Sequence, residues 1–242
     1  MSGPGPLAAQ TRVEMTLTLR RGESLLLVLG IPVLLLVFFS LVDVLPTGDG
    51  EPIDFLAPGI VALAVMSTAM VSLGIATGFE RSYGVLKRLG ATPLGRPRLV
   101  AAKTAAVVLI EIVQLIVLVP VSYALGWSPG GRWALALAGV VVGTVAFAGI
   151  GLALAGWLRG EVNLAAANAL YLVLLLLGGM IFPLDELPSG LAQVAQLLPS
   201  AALAEVLRSA LTTGAAPGRA WLTLLAWAVA APVLAARTFR WE

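Results

Sequence analysis

The sequence predicts an all-α integral membrane protein with six transmembrane helices, an N-terminal interfacial helix, and a short outer re-entrant or interfacial helix between spans five and six. Three observations carry that expectation. Of 242 residues, 59% are apolar and only 12% charged, where a globular domain runs near half and a quarter. So few charges would not cover a core of this size in water. Six apolar runs are long enough to cross about 30 Å of hydrocarbon, which takes roughly 20 helical residues. Lys and Arg also partition unevenly between alternate connections, as orientation in a membrane requires.

The runs fall in order along one transmembrane domain spanning 1–242. Residues 1–23 hold a Gly/Pro-rich start and then Thr11–Gly22, where Leu, Val and Met alternate with Arg and Thr; this reads as an interfacial helix. Span one, about 24–44, has no charge before Asp43 and tolerates Pro32 as a kink. Span two, about 55–79, is interrupted near its start by Pro58-Gly59. Span three, about 99–125, holds Lys103 near one end and Glu111 and Gln114 inside. Span four, about 133–158, is rich in Gly and Ala. Span five is about 164–182 and span six about 220–236. Leu187–Leu198 carries Pro188, Gln193 and Gln196 and is too short to cross, so it suits the interface.

With the N-terminus inside, the inner segments hold Arg12, Arg20, Arg21, Arg81, Lys87, Arg88, Arg96, Arg98, Lys103, Arg159, Arg237 and Arg240, and the outer ones only Arg132, Arg208 and Arg219. Both termini are therefore expected to be cytoplasmic. The first apolar run is too long for a signal-peptide core, and no cleavage site follows it. The Ala, Gly, Leu, Val and Arg usage suggests a GC-rich bacterial genome and hence a plasma membrane.

Composition also excludes chemistry. The chain has no Cys and no His, which removes zinc sites, disulfides, thiol nucleophiles and imidazole bases. A net charge of +2 gives no argument for nucleic acid. No glycine-rich phosphate cradle ending in Gly-Lys-Ser/Thr is present, so no cofactor is expected on this chain.

The inner connection after span two reads Phe79-Glu80-Arg81-Ser82-Tyr83-Gly84-Val85-Leu86-Lys87-Arg88-Leu89-Gly90, then Ala91-Thr92-Pro93-Leu94. Phe79, Tyr83 and Leu86 share one helical face, and Gly90 is a natural stop. Two readings stand side by side: a basic loop resting on anionic lipid, or a partner-docking element. Span two opens on Phe55-Leu56-Ala57-Pro58-Gly59-Ile60. Span five ends on Gly178-Gly179-Met180-Ile181-Phe182-Pro183-Leu184, with Leu187-Pro188 behind it; Pro199, Glu205, Leu207 and Arg208 follow. Taken in order, these pieces resemble the ABC type-2 exporter permease family, and within it the small drug- and antibiotic-resistance permeases.

That resemblance implies a transport subunit and not an enzyme. It implies pairing with a second permease copy, identical or paralogous, over two separate ABC ATPase subunits that bind ATP and Mg. Glu80, Arg81, Tyr83, Gly84, Leu86, Lys87, Arg88, Leu89, Pro93 and Leu94 would couple to the ATPase. Tyr83, Leu86 and Leu89 are expected to fill a groove there, with Arg81, Lys87 and Arg88 meeting acidic groups and Glu80 a basic one. The cargo would be a hydrophobic or amphiphilic drug, antibiotic or lipid-like molecule, moved outward.

Pathway candidates are Met66, Ser67, Met70 and Ser72 on span two and Asn168 and Tyr171 on span five; interhelical hydrogen bonding is the alternative role for the polar ones and simple packing for the methionines. Phe182, Pro183, Pro188 and Pro199 would form the outer gate. Glu111 and Gln114, on one face of span three, must meet protein or water, or Glu111 must be neutral. Bundle polarity is one role for Glu111. Carrying the proton of an ion-coupled secondary transporter is the rival; an accessory protein without transport is the other alternative.

Overall fold

In the computed structural model the structure describes residues 16, 22–42, 51–90, 95–212 and 215–238, with the side chains of 22–27 and 89–99 outside the description. Helix α1 is Gly22–Leu41, 20 residues, or about 30 Å at 1.5 Å per residue. Helix α2 is Pro52–Ser82. It contains a π-helical stretch at Ser67–Ser72. Then come α3 (Val85–Gly90), α4 (Gly95–Ala124), α5 (Trp133–Trp157), α6 (Gly160–Leu177), α7 (Ser189–Ala195), α8 (Pro199–Thr212) and α9 (Gly218–Thr238). Among the described residues, five helices are long and apolar enough to cross a membrane, and α7 with α8 forms a pair bent by 83°.

The apolar runs thus became helices where expected, with three corrections. Pro58-Gly59 does not interrupt span two: α2 begins at Pro52 and passes through Pro58 with both residues buried. Span five is displaced toward the N-terminus, starting at Gly160 instead of 164. It ends at Leu177, and Gly179 turns the chain at φ +60°, so Phe182 lies beyond the helix. The third concerns residues 199–212, expected in an outer connection. They fold as a helix almost wholly buried on one long face: Leu203, Val206, Leu207 and Ala210 are all at 0% exposure. Pro199 suits the first helical position because its fixed φ is already helical. The N-terminal interfacial helix expected over Thr11–Gly22 lies largely outside the described residues, as do Pro93 and Leu94.

α5 is the hub, packed against α2, α8 and α9. It turns Gly139 and Gly143 toward α8, Gly149 toward α9 and Gly151 toward α2, and these neighbours are admitted only because a Cβ is missing. A Cβ on Gly139 would meet Val206, and one on Gly151 would meet the Met70 backbone of α2. Small residues serve this purpose in membranes, where lipid is as apolar as leucine and dispersion between close backbones replaces the hydrophobic drive. Gly59 does the same for α2: any Cβ there would enter the Met180 carbonyl. Gly59→Val is therefore expected to lower unfolding stability in detergent by about 1–3 kcal/mol through overpacking. Gly30→Ala, at a position with open space around it, should leave the thermal midpoint unchanged or slightly higher.

Candidate functional site

The two ends of the bundle differ. At one end three consecutive residues of α2 each reach a different helix. Glu80 pairs with the buried Lys103 of α4 at 2.6 Å. Arg81 donates to the carbonyls of Gly156 and of Leu158, the latter at 3.1 Å. These are carbonyls at the α5 C-terminus, which lack helical donors and carry the negative end of the helix dipole. The Ser82 hydroxyl accepts from the Gly160 backbone N–H at 3.1 Å, meeting an otherwise unpaired N–H at the α6 start. Three residues further along α6, the fully buried Asn163 donates to the Gly74 carbonyl at 2.9 Å.

Past these anchors the chain turns. The continuous helix expected from Phe79 to Leu89 breaks at Tyr83-Gly84, because Gly84 takes φ +69°, a conformation costly for a residue with a Cβ. A new helix, α3, starts at Val85. The break changes which side chains face out. Leu86, expected to fill a partner's groove, is 1% exposed and packs inward. Tyr83 is 71% exposed while stacking on Phe79 at 6.0 Å between ring centroids. Lys87 and Arg88 are exposed beside it. Glu80 and Arg81, expected to meet a partner, instead engage the bundle itself. The Leu89 side chain lies outside the described residues.

At the opposite end Arg208 of α8 ties three parts together. It donates to the Gly179 carbonyl at 2.8 Å, lies 3.9 Å over the Phe55 ring of α2, and pairs loosely with Glu205 at 3.5 Å. The backbone N–H groups of Gly131 and Arg132 donate to the carbonyls of Leu211 and Ala210, which closes the α8 C-terminus. Of the gate candidates, Phe182 is 43% exposed and meets Phe39 edge-on at 6.3 Å. Pro183 and Pro199 are buried, and Pro188 is exposed ahead of α7.

Between the ends, α4 turns a polar stripe inward: Lys103, Glu111, Gln114 and Ser122 are all at most 4% exposed. Thr144 of α5 donates to Glu111 at 2.7 Å. Gln114 accepts from Thr68 at 3.1 Å and donates to the Val28 carbonyl of α1 at 3.0 Å. One glutamine thereby joins α1, the π stretch of α2 and α4. Among the pathway candidates, Met66 and Met70 are enclosed at 0% exposure, because their face of α2 is the one α5 and its Gly151 cover. Neither lines an open wall in this chain. Ser67 and Ser72 are half-buried, with Ser67 donating to its own helix at Ala64. Tyr171 is half-buried on α6. Asn168 is exposed, donating to the Leu164 carbonyl one turn back.

Ser82, Asn163 and Thr144 were not singled out by sequence reasoning. Asn163 had a signal, since it borders the short connection after Arg159 where helix ends must find partners, and Ser82 stands at the end of span two, where another helix must end. Thr144 sits in a run of Gly, Val and Ala and had none.

A bundle of apolar helices, with polar groups turned inward and a cationic turn at one end, is a multi-pass membrane protein. Residues 7–212 match the model of the family described as ABC-2 type transporter, and the chain belongs to that family, as the sequence motifs implied. A protein of Bacillus subtilis (strain 168) named "Putative transport permease YvfS" is 24% identical over 205 residues, covering 80% of each chain. The chain is thus a transport membrane subunit, with ATPase activity residing in separate subunits.

Arg81→Ala would leave the α5 carbonyls without their side-chain donor. With the guanidinium half-buried, a loss of about 1–2 kcal/mol is expected. Amide exchange by mass spectrometry should accelerate across 156–163 and stay unchanged at the Arg208 end.

Proposed function

We propose that the chain is the permease of an ATP-driven exporter in the bacterial plasma membrane. Its termini are cytoplasmic, and it moves a hydrophobic or amphiphilic drug, antibiotic or lipid-like compound outward. Two ATPase subunits, holding ATP and Mg, dock against the Tyr83 turn. The observation that carries this reading is the sequence of anchors at Glu80, Arg81 and Ser82. They fasten the root of the turn to α4, α5 and α6, so force applied to Tyr83, Lys87 and Arg88 passes into three helices together and not into a slack loop. An exposed aromatic ring flanked by two cations suits an apolar pocket rimmed with carboxylates.

A second permease copy completes the pathway in this reading. α6 presents Leu172, Val173 and Leu176 outward, with the amide of Asn168 exposed on the same helix. A side-chain amide facing hydrocarbon is unfavourable, and a second copy brings an identical amide to hydrogen-bond it, worth about 0.6 kcal/mol and up to about 1.7.

Two tests follow. Tyr83→Asp with Arg88→Glu should preserve folding and membrane insertion, yet reduce both co-purification of the cognate ATPase and ATP-dependent transport in inverted vesicles by about tenfold or more. Undiminished transport would sink the coupling assignment. Because the chain has no cysteine, Asn168→Cys supplies a single thiol. Oxidation should trap a disulfide-linked dimer from membranes, whereas Leu222→Cys, on the exposed face of α9, should stay monomeric.

A further inference from the structure

We propose that the groove between α5 and α9 seats one acyl chain of an anionic phospholipid, drawn from the leaflet at the Tyr83 end of the bundle. The groove has a volume of about 400 Å³ and is lined by Ile150, Leu154 and Trp157 on one wall and Trp227, Leu234 and Thr238 on the other. α5 and α9 run in the same direction, with Gly149 against Pro232, so the groove follows both helices toward their C-terminal ends. From Trp227 to Thr238 it extends about 16 Å at 1.5 Å per residue. That is about half the hydrocarbon thickness, the depth one acyl chain occupies.

The lining matches an acyl chain and not a polar molecule. Of its three side-chain donors, two are engaged elsewhere, the Trp227 indole N–H with the Leu197 carbonyl at 2.9 Å and the Thr238 hydroxyl with the Leu234 carbonyl at 2.8 Å, and the third, the Trp157 indole, stands at the mouth. What remains for an occupant is dispersion against aliphatic and aromatic surface. The mouth supplies the headgroup preference. Trp157 stands 70% exposed there, as an indole at a membrane interface does. Arg159, two residues beyond it, and Arg237, in the last turn of α9, are both exposed at the same end. Glu161 is the acidic neighbour on the start of α6. Two guanidiniums at the level of the phosphates favour an anionic lipid over a zwitterionic one.

The test uses the full chain in mild detergent and measures retained lipid by native mass spectrometry against phosphatidylglycerol and phosphatidylcholine of the same acyl composition. One phosphatidylglycerol per chain should be retained in preference to phosphatidylcholine. Arg159→Gln with Arg237→Gln should erase that preference, an effect of about 25-fold, since each surface cation contributes about fivefold toward an anionic headgroup. Ala153→Phe, which fills the groove from within, should abolish retention of both lipids. Ala230→Leu, a milder filling from the exposed side of α9, should weaken it, which keeps the test valid if the phenylalanine variant misfolds. Equal retention of the two lipids by the unaltered chain, or undiminished retention after the groove is filled, would overturn the proposal.

Discussion

In hydrocarbon a buried polar group finds its partner inside the protein or not at all, and the bundle is organised around that constraint. α4 states it most clearly. Its inward face carries four polar residues, and three of them reach neighbouring helices: Lys103 to α2, Glu111 to α5, Gln114 to both α1 and α2, while Ser122 bonds the Leu118 carbonyl within α4. A helix so tied cannot rotate about its axis without stranding several groups at once. The individual bonds are worth little in a membrane, about 0.6 kcal/mol on average. Their joint effect is to select one orientation of α4 among many that would bury similar apolar area. Close backbone contact then supplies the remaining adhesion, through α5 glycines that admit α2 and α8.

The same constraint separates the two ends. Where α7 bends into α8, backbone carbonyls leave the helical pattern, and Trp227 covers one of them at Leu197. Arg208 covers the Gly179 carbonyl in the turn after α6. At the Tyr83 end the exposed carbonyls of α5 are met by Arg81 and the first amide of α6 by Ser82. Arg208, Arg81 and Ser82 are thus engaged by helix termini and turns, while Tyr83, Lys87 and Arg88 are exposed at the turn.

Much of the fold was legible because apolar run length is a strong signal: the long helices lie within a few residues of where hydropathy put them. The buried α8 was missed for a physical reason. At 14 residues it is too short to span, and Ser200, Glu205 and Arg208 lower its hydropathy; its burial depends on the glycine face of α5, which appears only after folding. Leu86 was misplaced because helical spacing assumes an unbroken helix, and the left-handed turn at Gly84 resets the face. Met66 and Met70 looked suited to a pathway by type, yet exposure is decided by which helix covers them. Glu111 and Gln114 were recognisable as a pair by spacing, whereas Thr144 and Thr68 emerged as their partners only in three dimensions.

The π stretch at Ser67–Ser72 has a consequence for what lengths of chain the family can tolerate here. A π turn closes its hydrogen bond over one more residue than an α turn, and each residue of an α-helix advances the side-chain direction by about 100°. Loss of a single residue within 67–72 would let the stretch relax to α-helix with little change in the facing of either flank, because the π turn already holds one residue more than an α turn over the same sweep. Phe55 would still face Arg208, and Glu80, Arg81 and Ser82 would still point toward α4, α5 and α6. A one-residue deletion elsewhere in α2 has no such slack: it turns one end of the helix by about 100° against the other and disconnects the two sets of contacts.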